Sequence, residues 1–199
     1  MSRSLKIAIA DDELDMRDYF QEILPVLGHH VIAVARDGRE LVEACAATSP
    51  DLVITDIKMP DMDGIEAVSR IYKNAPVPVI LVSAYHDPEF IARAEADHVL
   101  AYLVKPIKQA DLEPAIAIAM RRFEQFQALQ KETSDLKQAL EDRKIIEKAK
   151  GILMKKAGLD EHDAFRRLQR LASDKNRKLV DIALMILTAE EALEPPPRK

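Results

Sequence analysis

Asp11 and Asp12, Asp56, Ser83 and Lys105 each stand at the end of a short apolar run, in that order along the chain. Aspartates gathered at such ends repel one another unless a cation neutralises them. A donor set made of oxygens suits Mg²⁺, which keeps some of its waters and takes a phosphoryl oxygen as a further ligand. Asp56, alone on its run, has the chemistry of a nucleophile toward a phosphoryl group. Lys105 would offset charge on the transferred group, and the Ser83 hydroxyl would donate to its oxygens. Taken singly, Asp12 reads equally well as a helix cap, Asp56 as a turn residue and Lys105 as a surface charge. Those separate explanations do not account for one shared placement.

That placement needs elements to produce it. Residues 5–10, 30–35, 52–55, 77–83 and 99–104 are apolar at most positions and read as strands, with amphipathic helical patterns between them. Strands apolar at nearly every position belong in a parallel sheet covered on both faces, and the repeated strand-helix order predicts an α/β fold, a doubly wound five-stranded parallel sheet with five helices. In such a sheet the five polar positions converge on the carboxyl edge, where open α/β sheets bind ligands.

The ordered set Asp11-Asp12, Asp56, Ser83-Ala84 and Lys105-Pro106, with Met59-Pro60 and Asp63-Gly64 after the central aspartate, resembles a response-regulator receiver domain over residues 4–120. The resemblance implies that Asp56 takes phosphate from a sensor histidine kinase and that Asp11 and Asp12 hold Mg²⁺ together with Asp56 and the backbone carbonyl of Lys58. It implies that Ser83 and Tyr102 move together as a switch, and that the domain is a phosphoryl acceptor with slow self-dephosphorylation and not an enzyme. An aromatic beside a strand is also ordinary core, which leaves Tyr102 a second reading. Asp97-His98 departs from the family, which often has a glycine there; histidine tolerates positive φ better than most residues. The isomer of the Lys105–Pro106 bond is open at this level.

Beyond the receiver the pattern changes. Residues 111–156 form one helical region whose last proline is Pro114 and whose first glycine is Gly151. Leu112, Ile116, Ala119, Phe123 and Phe126 step by four and three. The register slips at Leu129, and Thr133, Leu136 and Leu140 resume it, a stammer within a heptad seam. The seam is either a coiled coil across a homodimer or a single helix packed on its own domain. Residues 143–193 then read as three short helices, the first ended by Gly158, the second capped by Asp160, with a break over 172–176 before the third.

The net charge of −5 over 199 residues is unevenly spread: residues 1–142 carry −10, 143–178 carry +7 and the rest −2. A basic segment on an acidic chain predicts a polyanionic partner for that segment alone. Ile145, Ile146, Ala149, Ile152 and Leu153 make one apolar stripe, with Lys144, Lys148, Lys155 and Lys156 largely off it. Ala164, Phe165, Leu168, Leu171 and Ala172 make a second, with Arg166, Arg167 and Arg170 outward. Leu179, Val180, Ile182, Ala183, Ile186 and Leu187 supply a third wall. So small a core has little stability alone.

Glu147-Lys148-Ala149-Lys150-Gly151-Ile152-Leu153-Met154, followed by Ala164-Phe165, Leu168, Ala172 and Leu179, Asp181, Ile182, Ala183, resembles the ANTAR domain, an RNA-binding antiterminator module, over residues 135–190. The resemblance implies recognition of hairpins in a leader transcript, usually by a dimer. Contact candidates are Lys148, Lys150, Gly151, Lys155, Arg166, Arg167 and Arg170, with Gly151 admitting close backbone approach. Phe165 is expected in the core, since one aromatic is too few for a stacking platform.

The expected organisation is a receiver at 1–120, a helical linker and candidate coiled coil at 121–142, an RNA-binding domain at 143–193 and a solvated tail at 194–199. A DNA-binding output is disfavoured because the third helix is apolar and acidic where a recognition helix is polar. A phosphorylation-dependent protein-interaction switch is the other alternative. Cys45, among Leu41, Val42, Ala44 and Ala46, reads as a packed thiol, and the five scattered histidines show no metal spacing. The chain has no bilayer-length apolar run, so a membrane role is not expected and the cytoplasm is.

Overall fold

Alternate residues of the first strand point to opposite sides of a sheet, and both sides are covered. In a computed structural model that describes residues 3–84 and 99–193, the first part runs β1 (Lys6–Ala10), α1 (Leu14–Val26), β2 (His30–Ala35), α2 (Gly38–Thr48), β3 (Leu52–Asp56), α3 (Gly64–Asn74), β4 (Val79–Ser83) and β5 (Ala101–Val104). The strands pair in parallel in the order β2-β1-β3-β4-β5. Ile7 and Ile9 face one layer, with Leu52, Ile54, Ile80 and Val82, against Phe20 and Leu24 of α1 and Leu112, Ile116 and Ala119 of the next helix. Ala8 and Ala10 face the other, with Val53, Val79 and Leu81, against Leu41 and Cys45 of α2 and Ile65, Val68 and Ile71 of α3. Each large apolar side chain fully buried this way contributes about 1.5–3 kcal/mol.

The expected strands are all present, within two residues at their ends. Fully buried β3 and β4 carry the continuous apolar runs, whereas the edge strands β2 and β5 are only partly covered. Cys45 is a free, buried thiol. Burial pushes its pKa up to about 12, so it behaves as a small core residue. The expected helix between β4 and β5, with Asp97 and His98, lies outside the described residues.

The C-terminal region corrects one expectation. Residues 143–157 are not a separate short helix but the end of α4 (Gln109–Ala157), which begins on the sheet; α5 (Glu161–Asp174) and α6 (Leu179–Leu193) follow. Pro114 sits within its second turn and Gly151 in its interior. Gly158, at φ +65°, ends it in a conformation that costs glycine nothing. Asp160 caps α5 by accepting from Asp163 N–H at 2.7 Å. The break expected at 172–176 starts later, since α5 continues to Asp174.

The chain divides between Gln127 and Ala128 into two compact units, and the register slip from Phe126 to Leu129 falls at that division. Before it, the four-three steps serve the first unit's own core: Leu112, Ile116 and Ala119 are buried. After it, Leu129, Leu136 and Leu140 are exposed. The second unit closes its core around Ala149, Leu168, Ile182 and Ala183, flanked by Ile145, Ile146, Leu153, Leu171, Ala172, Leu179 and Ile186. With two large side chains fully inside, that core is thin.

His29 gives the first unit a pH dependence. It is buried, and its Nδ1 accepts the Leu5 N–H at 3.3 Å. Burial holds its pKa below 6.5, outweighing the attraction of Glu113 and adding to repulsion from His30. The unfolded chain therefore binds the proton more readily, so this contribution to stability is present above about pH 6.5 and is lost as pH falls toward the depressed folded value. His29→Asn, which keeps an acceptor, is expected to flatten the fall in melting temperature of the first unit between about pH 7.5 and 5.5. An unchanged slope would contradict the assignment.

Candidate functional site

Four carboxylates and one ammonium meet at the carboxyl end of the sheet. Lys105 Nζ, in the loop after β5, lies 2.7 Å from Asp56 Oδ2, 2.8 Å from Glu13 Oε1 and 2.9 Å from Asp11 Oδ2. Asp11, Asp12, Glu13 and Asp56 each offer an oxygen, all within 4.8 Å of one another. The side chains of Asp11 and Asp56 are 1% and 8% exposed and that of Glu13 is 60% exposed, so the cluster has a dry floor and a wet rim. Ser83 is buried at the end of β4, opposite Val104 in register. Tyr102, half-buried on β5, packs against the α2–α3 layer. The Lys105–Pro106 bond is cis.

Backbone hydrogen bonds continue the sheet into these loops. Asp11 N–H donates to Ala35 O, Ile57 N–H to Val82 O and Lys105 N–H to Ser83 O. Asp11 Oδ1 accepts the Glu13 N–H at 2.9 Å, and Glu13, not Asp12, holds the cap position before α1. Arg17, one turn into α1, donates to the carbonyls of Asp11 at 2.7 Å and Asp12 at 2.9 Å. On the central loop Lys58 N–H donates to Asp56 Oδ1 at 3.2 Å, and Gly64 N–H donates to Ile57 O at 2.9 Å. A Cβ on Gly64 would stand 2.0 Å from the Asp56 carbonyl oxygen; the start of α3 therefore lies against the backbone of Asp56.

One ammonium does not balance four carboxylates. Burial is the main cause raising the Asp11 pKa, the nearby Asp56 charge adds to it, and Lys105 works against both. For Lys105, burial disfavours the charge but its hydrogen bonds to Asp56 and Glu13 and its ion pair with Asp11 outweigh it and hold its pKa above the ordinary lysine range. Asp11 Oδ2 has Lys105 beside it but no aligned hydrogen-bond donor. A buried anionic oxygen in that state, within reach of two further aspartates, fits a hard divalent cation with oxygen ligands.

Sequence reasoning missed Glu13 and Arg17. Glu13 continues the acidic run Asp11-Asp12-Glu13, and that continuity was the available signal. Arg17 acts on carbonyls, which no spacing announces. Gly64 was noted as part of a motif, but its reason is a close approach visible only in three dimensions.

In the second unit, Arg166, Arg167 and Arg170 line an open groove of about 450 Å³ with Asp163 and Leu171. Lys148 and Lys155 are exposed, as is Gly151, with open space beside it. Lys150 is 8% exposed and bridges Glu147 at 2.6 Å and Glu161 at 2.8 Å, joining α4 to α5. One expectation needs correction. Phe165 is 36% exposed and not core; it follows the buried Ala164 by one residue, about 100° around the helix and off its apolar stripe.

Residues 7–117 match the family described as response regulator receiver domain, and residues 134–187 match the ANTAR domain. The transcriptional regulatory protein PdtaR of Mycobacterium tuberculosis is 40% identical over 182 residues, which span 92% of this chain and 89% of that protein. The signal receiver domain of a modulated diguanylate cyclase from Desulfovibrio desulfuricans superposes with a TM-score of 0.58 at 25% identity, covering 61% of this chain and 98% of that one. A CheX–CheY complex from Borrelia burgdorferi containing BeF₃ and Mg²⁺ superposes with a TM-score of 0.54 at 27% identity, covering 56% and 85%.

Two glycines test the geometry in opposite directions. Gly64→Ala is expected to cost about 1–3 kcal/mol, because either α3 or the Asp56 backbone must move. Gly151→Ala, in open space inside a helix, should gain about 0.5–1 kcal/mol. Thermal unfolding of both variants checks this, and a Gly64→Ala protein as stable as the parent would contradict the close approach.

Proposed function

We propose that this chain, which belongs to the response-regulator family and pairs a receiver with an ANTAR domain, accepts a phosphoryl group on Asp56 and thereby controls RNA binding by its second unit. The observation that carries the first half is the Lys105 ammonium 2.7 Å from Asp56 Oδ2 at the buried end of the central strand. Asp56 is the nucleophile. Lys105 shifts from the carboxylate to the incoming phosphoryl oxygens, and Ser83 donates its hydroxyl to them. Mg²⁺, held by Asp11, Asp12, Asp56 and the Lys58 carbonyl, would neutralise charge between acceptor and donor. Arg17 keeps the two acids of the first loop oriented through their own carbonyls. A sensor histidine kinase is the donor. The acyl phosphate is lost slowly to water, and the chain is a regulator without turnover of a substrate.

Ser83 and Tyr102 form the switch. Ser83 ends β4 at the phosphorylated edge and Tyr102 stands on the adjacent strand, two positions before Val104, the register partner of Ser83, so a hydroxyl drawn toward phosphate opens room on the β4–β5 side. The output acts on leader-transcript hairpins to prevent termination. Support comes from the charge of +7 over residues 143–178 and from the arginine groove on α5. Lys148, Lys150, Lys155 and Gly151 are further contacts, with Lys150 also bridging α4 to α5. Leu129, Leu136 and Leu140, exposed and spaced by seven and four, form a seam for a homodimer. No helix among the described residues is long and apolar enough to cross a membrane, and we assign the chain to the cytoplasm.

Acetyl phosphate with Mg²⁺ is expected to label the parent and leave Asp56→Asn unlabelled, read by intact-protein mass; label retained on another residue would refute the acceptor. Replacing Arg166, Arg167 and Arg170 together by alanine should weaken binding to structured RNA and lower the log–log salt slope by about 2. Comparing hairpin RNA with duplex DNA at matched salt separates the two outputs. An unchanged slope, or equal affinity for DNA, would reject the RNA assignment.

A further inference from the structure

Glu13 has no part in the chemistry assigned so far, yet its carboxylate holds Lys105, the cation paired with Asp56 and Asp11. Its Oε1 is 2.8 Å from Lys105 Nζ. The contact joins the last residue of the β1–α1 turn to the loop after β5, ninety-two positions away. Glu13 stands at the cap position of α1 without a side-chain capping bond, and the bond that organises this turn uses its backbone N–H. Its side chain is 60% exposed, whereas that of Lys105 is 12% exposed. A mostly solvated anion is therefore applied to a mostly buried cation.

Resting on the reading that Asp56 accepts the phosphoryl group, we propose that Glu13 is a positioning residue that competes with the phosphoryl group for Lys105 and so sets how readily the receiver is phosphorylated. In the unphosphorylated form Lys105 is divided among Asp56, Glu13 and Asp11. With acetyl phosphate, an Asp56 oxygen attacks phosphorus, the bond from phosphorus to the acetate oxygen breaks, and acetate leaves with that electron pair. The product is an acyl phosphate on Asp56. Lys105 then has a more highly charged partner, and taking it means releasing Glu13. The ion pair with Glu13 stabilises the form that exists before transfer, so its removal lowers the cost of reaching the transferred state. Water later attacks the acyl phosphate, returns inorganic phosphate and the carboxylate, and lets the pair re-form.

The same glutamate could act in two simpler ways, by repelling an anionic donor or by helping to hold the divalent cation, and three full-length proteins separate these. Glu13→Gln removes the charge. Glu13→Asp keeps the charge but withdraws it from Lys105 by one carbon. The initial rate and steady-state level of phosphorylation by acetyl phosphate are read by intact mass. Mg²⁺ dependence is read by the shift in melting temperature, since the chain has no tryptophan to report it. Both variants are expected to phosphorylate about two- to fivefold faster than the parent, the size of one partly exposed ion pair, with the Mg²⁺ midpoint unchanged. A fast Glu13→Gln beside a parent-like Glu13→Asp overturns the proposal in favour of donor repulsion. A weakened Mg²⁺ midpoint in Glu13→Gln overturns it in favour of a cation ligand. Parent-like rates in both variants overturn it alone, whereas a parent chain that takes up no phosphoryl group overturns the acceptor assignment with it.

Discussion

Among the described residues, the functional edge sets the Lys105 ammonium among four carboxylates. Lys105 Nζ lies within 2.9 Å of both buried acids, Asp11 and Asp56, and its raised pKa records that proximity. The parallel sheet is the means. It brings the ends of β1, β3, β4 and β5 to one rim although they are dispersed over nearly a hundred residues, and the loops there are extensions of its own hydrogen-bond ladder. Two further constraints fix the loops: Arg17 on the carbonyls of Asp11 and Asp12, and Gly64 against the carbonyl of Asp56.

The parts legible in the sequence were those governed by period and order. Runs such as 52–55 and 77–83 are apolar at each position because both sheet faces are covered, and this announced strands, sheet type and the rim where Asp56 and Lys105 meet. What escaped notice depended on direction within a turn. Glu13 reads as one more acid until its side chain is seen on Lys105. Phe165 shares a stripe with Ala164 on paper, yet one residue of helix rotation carries it to the surface. Lys150 looked like a free cation because charge in a sequence carries no record of its partners, and Glu161 lies on another helix. The heptad steps in α4 were read as one seam, but a packed stripe and an exposed one share the same arithmetic, and only the slip at Leu129 hinted at the division between units.

The second unit is built on different terms. Its core holds Leu168 and Ile182 as the only large side chains fully inside among the described residues, and an ion-pair bridge through Lys150 helps join α4 to α5. Thin cores respond to small changes in what packs beside them. A coupling of about 1–3 kcal/mol is enough to change an affinity by one to two orders of magnitude. Leu129, Leu136 and Leu140 of α4 are exposed, and α4 contributes residues to each unit's core.

The central claim is that the state of Asp56 governs RNA binding, and it is met most directly by titrating a labelled RNA hairpin with the full chain in Mg²⁺, with and without beryllium fluoride as a stand-in for the phosphoryl group. The account predicts binding at least about tenfold tighter with beryllium fluoride, and loss of that gain in Asp56→Asn. Equal affinity in the two states, in a chain that binds the hairpin, would contradict it.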